Sequence, residues 1–431
     1  MTLGAVQSRV DSSERSYLNG TFAELCRIES PSGRERACAE RVIAELRALD
    51  VVVHEDDAGP RAGSECGNLL ARIPATPPLV TAPPADAAPT SAIATGAAAD
   101  GGEQPRSLLL CAHLDTVPLL APVEPVLVDG YWENANEAIL GADNKAAIAV
   151  ILALARHVRR HGALVDIELL FTVCEETALA GARAFDATQL RSELGYVFDH
   201  ATPIGEVVVD SPTHFRIEAD FRGAAAHAGI RPEDGRSAIL AAAHAIATLR
   251  LGRIDEQSTV NVGTIAGGSA MNVVPERCNV VAEVRALQAE RAEALVAEVV
   301  ERMHEAANLP ECECDVDISV QRMFEGFHLA ATKPAVKIVE RALRASGHEP
   351  LRISSGGASD ANALLVQGIE VVNVANGTER AHEPQERVSV AALEGMLDVA
   401  LALLDAAASE PADPAALAPA DPAASSPAAA R

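Results

Sequence analysis

Apolar runs that stop at acidic residues and histidines set the strongest limit on how this chain folds. Ser107-Leu108-Leu109-Leu110-Cys111-Ala112 runs into His113-Leu114-Asp115, and Ile139-Leu140-Gly141-Ala142 into Asp143-Asn144. Ile167 to Cys174 ends in Glu175-Glu176, and Gly195-Tyr196-Val197-Phe198 in Asp199-His200. Val371-Val372-Asn373-Val374 leads after a short loop to His382-Glu383-Pro384. Strands buried on both faces of a parallel sheet read as continuous apolar runs, and such sheets carry their ligand sites beyond the carboxyl ends of the strands. So many carboxylates at one sheet edge repel one another and tend to take up protons. Bound cations resolve that conflict, which implies a metal-dependent enzyme.

The organisation of the chain follows from the same patterns. Between Thr213 and Phe324 the runs give way to alternation: His214 to Arg222 is alternately polar and apolar, the mark of a half-buried strand. A helix is expected over 235–249, strands over 258–265 and 278–287, a helix over 289–307 and a strand over 313–322. The order β-α-β-β-α-β predicts a four-stranded antiparallel sheet with two helices on one face. The flanks alternate buried strands with helices such as 145–158 and 333–345, which predicts an α/β fold around a mostly parallel, doubly covered sheet. The expected division is therefore a first domain over 1–212, resumed over 326–405, with a smaller ferredoxin-like α+β unit inserted over 213–325. Two Ala/Pro-rich stretches, 74–105 and the tail 406–431, read as disordered. The first interrupts two strand-like runs (67–73 and 107–112), as though replacing a hairpin turn.

Composition narrows the partners. With 431 residues and a formal charge of -26, the chain lacks the basic face that phosphate binding needs, which argues against nucleic acid and anionic membranes. No stretch approaches the ~18 apolar residues of a membrane span, and residues 1–19 show no apolar signal segment. The eight cysteines are scattered; Cys312-Glu313-Cys314 alternates within a strand-like run, and its thiols read as structural. A reducing cytoplasm is the expected setting.

At the strand ends, His113 and Asp115 stand two apart and can face one side. Either can ligate a metal, or the carboxylate can orient the imidazole from behind. Asp143 can cap the following helix or ligate. Of the adjacent Glu175 and Glu176, one can ligate while its neighbour acts on a bound water. Asp199 can simply end a strand, and His382 can be a loop histidine.

The stretches His113-Leu114-Asp115-Thr116-Val117-Pro118, Gly141-Ala142-Asp143-Asn144-Lys145-Ala146 and Phe171-Thr172-Val173-Cys174-Glu175-Glu176 resemble motifs of the M20 metallopeptidases, within them the peptidase T-like group. So do Ala226-His227-Ala228-Gly229, Gly267 to Pro275, and Gly356-Gly357-Ala358-Ser359-Asp360-Ala361-Asn362. The resemblance runs from about Tyr17 to Leu404 and implies a zinc-exopeptidase-like catalytic domain with an inserted lid and dimerisation domain. It implies one metal on His113 and Asp199, another on Glu176 and His382, and Asp143 bridging both. The ions would be Zn2+, with Co2+ or Mn2+ as substitutes. Asp115 would support His113, Glu175 would be the general base on a metal-bridging water, and His227, often from the partner protomer of a homodimer, would face the oxyanion. Asn272, Arg285, Gly356 and Gly357 would hold the substrate.

The expected activity is hydrolysis of an amide bond in small peptides by a tripeptide aminopeptidase. Three departures bear on the substrate: Ser355 stands where tripeptidases carry arginine, Asn144 where the family often has aspartate, and Trp132 to Glu137 lacks the usual Asp-Gly-Thr-Thr. The alternatives are another amidohydrolase of the same fold (a carboxypeptidase or an N-acyl-amino-acid deacylase) and, more distantly, a non-catalytic binding protein.

Overall fold

A computed structural model of the chain describes residues 10–76 and 106–409. Along the chain, β1 (Val53–Glu55), β2 (Leu69–Ile73) and β3 (Ser107–His113) precede a hairpin of β4 (Pro125–Val128) and β5 (Tyr131–Asn134). β6 (Asp166–Thr172), β7 (Leu194–His200) and β8 (Glu206–Ser211) follow. A second sheet takes β9 (Thr213–Arg222), β10 (Gly252–Asp255), β11 (Ser258–Gly267), β12 (Arg277–Ala286) and β13 (Asp315–Phe324). The chain then returns through β14 (Phe327–His328), β15 (Leu351–Ser354), β16 (Glu370–Ala375), β17 (Thr378–Glu379) and β18 (Arg387–Ser389). The helices are α1 (Ser12–Cys26), α2 (Arg36–Ala48), α3 (Gly59–Ala62), α4 (Ala142–His161), α5 (Ala180–Ala184), α6 (Ala238–Thr248), α7 (Ala289–Ala307), α8 (Pro334–Ala345), α9 (Asp360–Val366) and α10 (Val390–Ala408).

The large sheet has the order β1-β2-β6-β3-β7-β16-β8-β14, with β15 also on β8. Its centre, β6-β3-β7-β16, is parallel, so the carboxyl ends of these strands open on one edge. Leu108, Leu109, Leu110 and Cys111 of β3 are all fully buried because helices cover both faces. Each such leucine contributes about 1.5–3 kcal/mol by leaving water. α4 is the central helix on one face. Its run from Ala146 to Ala155 is buried throughout, and the many alanines let α1, α10 and the sheet approach it closely. Glu168 is a carboxylate inside this core, satisfied by Arg72 and by the N–H groups of Arg191 and Ser192.

Two expectations need correction here. β2 and β3 are not hairpin partners: β6 lies between them, antiparallel to β2 and parallel to β3. The continuous apolar run of β6 fills a central position buried on both faces, which a hairpin of β2 and β3 would have excluded. The tail does not begin at 406 either, because α10 continues to Ala408 with Ala406 and Ala407 packed into the core. Likewise Thr76, inside the stretch expected to be disordered, bridges Ala163. The rest of both stretches lies outside the described residues.

The second sheet has its own core. Ile217, Ala219 and Phe221 of β9 and Cys278, Val280, Ala282 and Val284 of β12 face α6 and α7, while the intervening side chains point outward. The order β10-β11-β12-β9-β13 contains one strand more than expected among the described residues. The short β10 was hidden because Gly252-Arg253-Ile254-Asp255 is too brief and polar to alternate clearly. Cys312 and Cys314 are both buried in this core. Among the described residues no helix is long and apolar enough to cross a membrane.

Candidate active site

The parallel centre brings the strand ends together. His113 is the last residue of β3 and Asp199 lies at the end of β7, while Asp143 opens α4 and Glu175-Glu176 follow β6. His382 enters on the loop between β17 and β18 with φ of 69°, a left-handed conformation that a non-glycine side chain adopts only when its surroundings hold it there.

Two groups form around one carboxylate. The His113 Nε2 atom lies 3.3 Å from Asp143 Oδ1 and 3.4 Å from Asp199 Oδ1. The His382 Nε2 atom lies 3.3 Å from Asp143 Oδ2 and 2.8 Å from Glu176 Oε1. Asp143 thus presents one oxygen to each imidazole. Within each triplet, His113-Asp143-Asp199 and Asp143-Glu176-His382, donor atoms lie within 4.8 Å of one another. Glu175 also falls into such a group with His113 and Glu176.

Asp115 organises the base of the site. Its backbone oxygen is 3.0 Å from His113 Nδ1, and its carboxylate accepts the N–H groups of Glu175 (3.0 Å) and Glu176 (3.2 Å) and the Ser32 hydroxyl. The charge balance matches the crowding expected of such a cluster. Burial pushes Glu175 and Asp199 well above the carboxylate range, and the charges of Asp199 on Glu175 and of Asp143 on Asp199 add to the effect. Burial opposes protonation of His113, but Asp199, Asp115 and Asp143 outweigh it and raise its proton affinity. His382 is pushed up to about 10 by its bonds to Asp143 and Glu176. For Asp143, burial is outweighed by the two histidines, and its carboxyl is held low. The surroundings favour positive charge at both imidazoles, and a mixed histidine and carboxylate donor set of this kind fits divalent cations.

Several positioning groups carry no signal as local motifs. Glu386 is buried, and its two oxygens accept the N–H of Gly141 (2.7 Å) and of Asp143 (2.8 Å), holding the turn that presents Asp143. Burial pushes it up to about 7 despite these bonds. Asn373 grips the Asp199 backbone through both its amide oxygen and nitrogen, each at 3.1 Å. A polar residue inside the run Val371 to Val374 was the one available hint. Glu35 accepts the N–H of Cys174 (3.1 Å) and its thiol (3.2 Å). Asn68 bridges the loop by accepting from Val173 N and donating to Gly181 O.

Gly181 is required by that closeness, since an added Cβ would stand 2.0 Å from Val173 O and 2.7 Å from Asn68 Oδ1. Gly181→Ala should lower stability by about 1–3 kcal/mol, the usual cost of overpacking, as read from the shift in denaturant midpoint. An unchanged midpoint would mean the loop relaxes freely.

The substrate candidates sit apart from this cluster. Arg285 points to the outer face of β12, pairs with Glu283, and donates to Gly356 O at 3.1 Å, so the two sheets meet there. The Gly357 N–H is taken by Ser355 Oγ at 3.0 Å, and its carbonyl accepts from Ser211; in this arrangement it is not offered to a ligand. His227 and Asn272 are exposed neighbours in the small domain, joined through Ala228 N to Asn272 O. Among the described residues no hydrogen bond or ion pair joins either side chain to the carboxylate cluster.

Comparison with known proteins agrees with this architecture. Residues 213–309 match the peptidase dimerisation domain of the M20 family, and residues 95–208 match peptidase family M28. The uncharacterized protein YqjE of Bacillus subtilis is 32% identical over 391 residues, covering 90% of this chain and 97% of the relative. The crystal structure of aminopeptidase PepT from Bacillus cereus is 33% identical, covers 91% of this chain and 99% of that one, and superposes with a TM-score of 0.77. A tripeptidase from Staphylococcus aureus is 29% identical with a TM-score of 0.81, covering 92% and 99%.

Proposed function

The chain belongs to the M20 metallopeptidases, in the peptidase T-like group, and from that membership we propose that it is a two-metal aminopeptidase acting on tripeptides with a free amino end. The observation that carries this reading is Asp143, whose two oxygens face two different imidazoles while Glu175 stands beside one of them. His113 and Asp199 would hold one ion, Glu176 and His382 the other, and Asp143 would be shared. Zn2+ suits these donors best, with Co2+ or Mn2+ able to replace it. When bound, such a pair of ions acidifies water and polarises the scissile carbonyl.

The remaining work falls to the protein's own groups. Glu175 would take a proton from the attacking water and deliver it to the leaving amine. Asp115 keeps His113 oriented through Nδ1 and keeps Glu175 and Glu176 in place through their N–H groups. Arg285, already bound to Gly356, would suit a peptide carboxylate by its forked guanidinium, and Asn272, Gly356 and Gly357 would complete the substrate-holding set, Gly357 once its N–H is released from Ser355. His227 would donate to the developing oxyanion. Its exposure, and the lack of any hydrogen bond or ion pair to the cluster among the described residues, favour a partner protomer as the source, in a homodimer formed through the small domain. The eight free cysteines suit a reducing cytoplasm.

A substrate panel tests the reading. After chelation the protein should be inactive. Re-addition of Zn2+ should restore hydrolysis of tripeptides, while their N-acetylated forms and N-acyl amino acids should turn over at least about 100-fold more slowly, as expected when a buried polar group loses its partner. Equal rates on free and N-acylated substrates would overturn the aminopeptidase assignment and favour a deacylase.

A further inference from the structure

α4 carries the candidate active site at its first turn and a second group of potential ligands at its last. Asp143 and His157 are separated by about 20 Å along the helix at ~1.5 Å per residue, so the two places are independent. His157 and His161 are four residues apart and share one face, with ring centroids 4.4 Å apart. Facing them from α1 is Glu14. Its Oε1 atom lies 2.9 Å from His157 Nδ1 and 3.8 Å from His161 Nε2, and the three donors lie within 4.8 Å of one another.

The carboxylate divides its oxygens between two jobs. Oε2 closes the capping box of α1 by accepting the Asp11 N–H, while the Glu14 N–H returns to Asp11 Oδ1. That leaves Oε1 committed to the imidazoles. The Glu14 side chain is only 8% exposed, yet among the described residues no lysine or arginine pairs with it. His157 is 18% and His161 58% exposed, so the group opens to solvent on one side only.

From this arrangement we infer that Glu14, His157 and His161 form a further metal site, separate from the two-ion centre, for Zn2+ or a neighbouring late first-row divalent ion. Zinc bonds of about 2.0–2.2 Å set neighbouring donors roughly 3.3 Å apart in a tetrahedron, and the separations of 2.9 and 3.8 Å bracket that value. Two histidines and one carboxylate supply three ligands, and the open side admits water as the fourth. The ion ties α1 to the end of α4, where Arg156 also covers the Tyr17 ring at 4.4 Å. Its role is to brace the helix pair.

The test is a Zn2+ titration of the full chain against a chromophoric chelator, with melting followed in parallel. Wild type should bind one equivalent more than His161→Ala, whose substitution at an exposed position leaves the core intact. The weakest of the wild-type sites should lose at least about tenfold in affinity in that variant, the minimum expected from losing a ligand rather than an outer partner. His157→Gln should behave the same way, and tripeptide turnover should be unchanged in both. Zn2+ should raise the Tm of wild type more than that of either variant. Equal stoichiometry and equal Tm shifts in wild type and His161→Ala would overturn the site and leave the histidines as partners of the α4 carboxyl end alone.

Discussion

Glu175→Gln should reduce turnover by about 10²–10⁴-fold, the range attributable to a positioned general base, while the protein keeps its two active-site metal equivalents. The substitution preserves shape and removes one charge from a buried cluster that already holds more carboxylates than it can ionise, so the fold should tolerate it. Glu175 is held through its backbone N–H by Asp115 at 3.0 Å, and the glutamine would be presented from the same place. The measurement is kcat on a tripeptide together with metal content by elemental analysis. Near wild-type kcat with both metals bound would show that another group moves the proton. Lost activity with lost metal would instead make Glu175 a ligand.

Asp143→Ala should be the most damaging change to metal content. One carboxylate faces His113 with Oδ1 and His382 with Oδ2, so its removal weakens both halves of the centre. Outer partners of a metal site are worth about 10–100-fold in affinity, and a shared ligand should exceed that for each ion. The expected result is fewer than one active-site equivalent retained after dialysis, counted apart from the Glu14 site, and tripeptidase activity below about 1% of wild type, a loss larger than either half would cause alone. His382→Ala provides the contrast, because it disturbs only the half that contains Glu176 and should leave one active-site equivalent bound. If Asp143→Ala and His382→Ala retain the same amount of metal, Asp143 does not serve both positions. Circular dichroism should match wild type in each case, since Glu386 holds the Asp143 turn through backbone N–H groups that alanine also supplies.

Legibility differed between the two kinds of residue in this site. His113, Asp143, Glu175, Glu176 and Asp199 stand at the ends of runs long and apolar enough to be recognised as buried parallel strands or as the turn into a buried helix, so their convergence could be anticipated from order alone. His382 follows such a run only after a loop, and its cluster membership depended on the family resemblance. Glu386, Glu35 and Asn68 have no such marker. Glu386 meets Asp143 across 243 residues of chain, and Glu35 meets Cys174 across 139. Nothing local distinguishes them from surface acids.

The sequence by itself determined that a parallel sheet would gather carboxylates and histidines at one edge, because burial on both faces forces continuous apolar runs and leaves polar residues only where the strands stop. It also determined the separate character of the small domain, because a one-sided sheet must alternate. Only the tertiary structure decided that β6 separates β2 from β3, that Glu386 holds the turn of Asp143, and that Glu14 reaches the histidines at the far end of α4. Those outcomes depend on pairings between distant segments, where shape and packing choose among partners that look equally polar in the sequence.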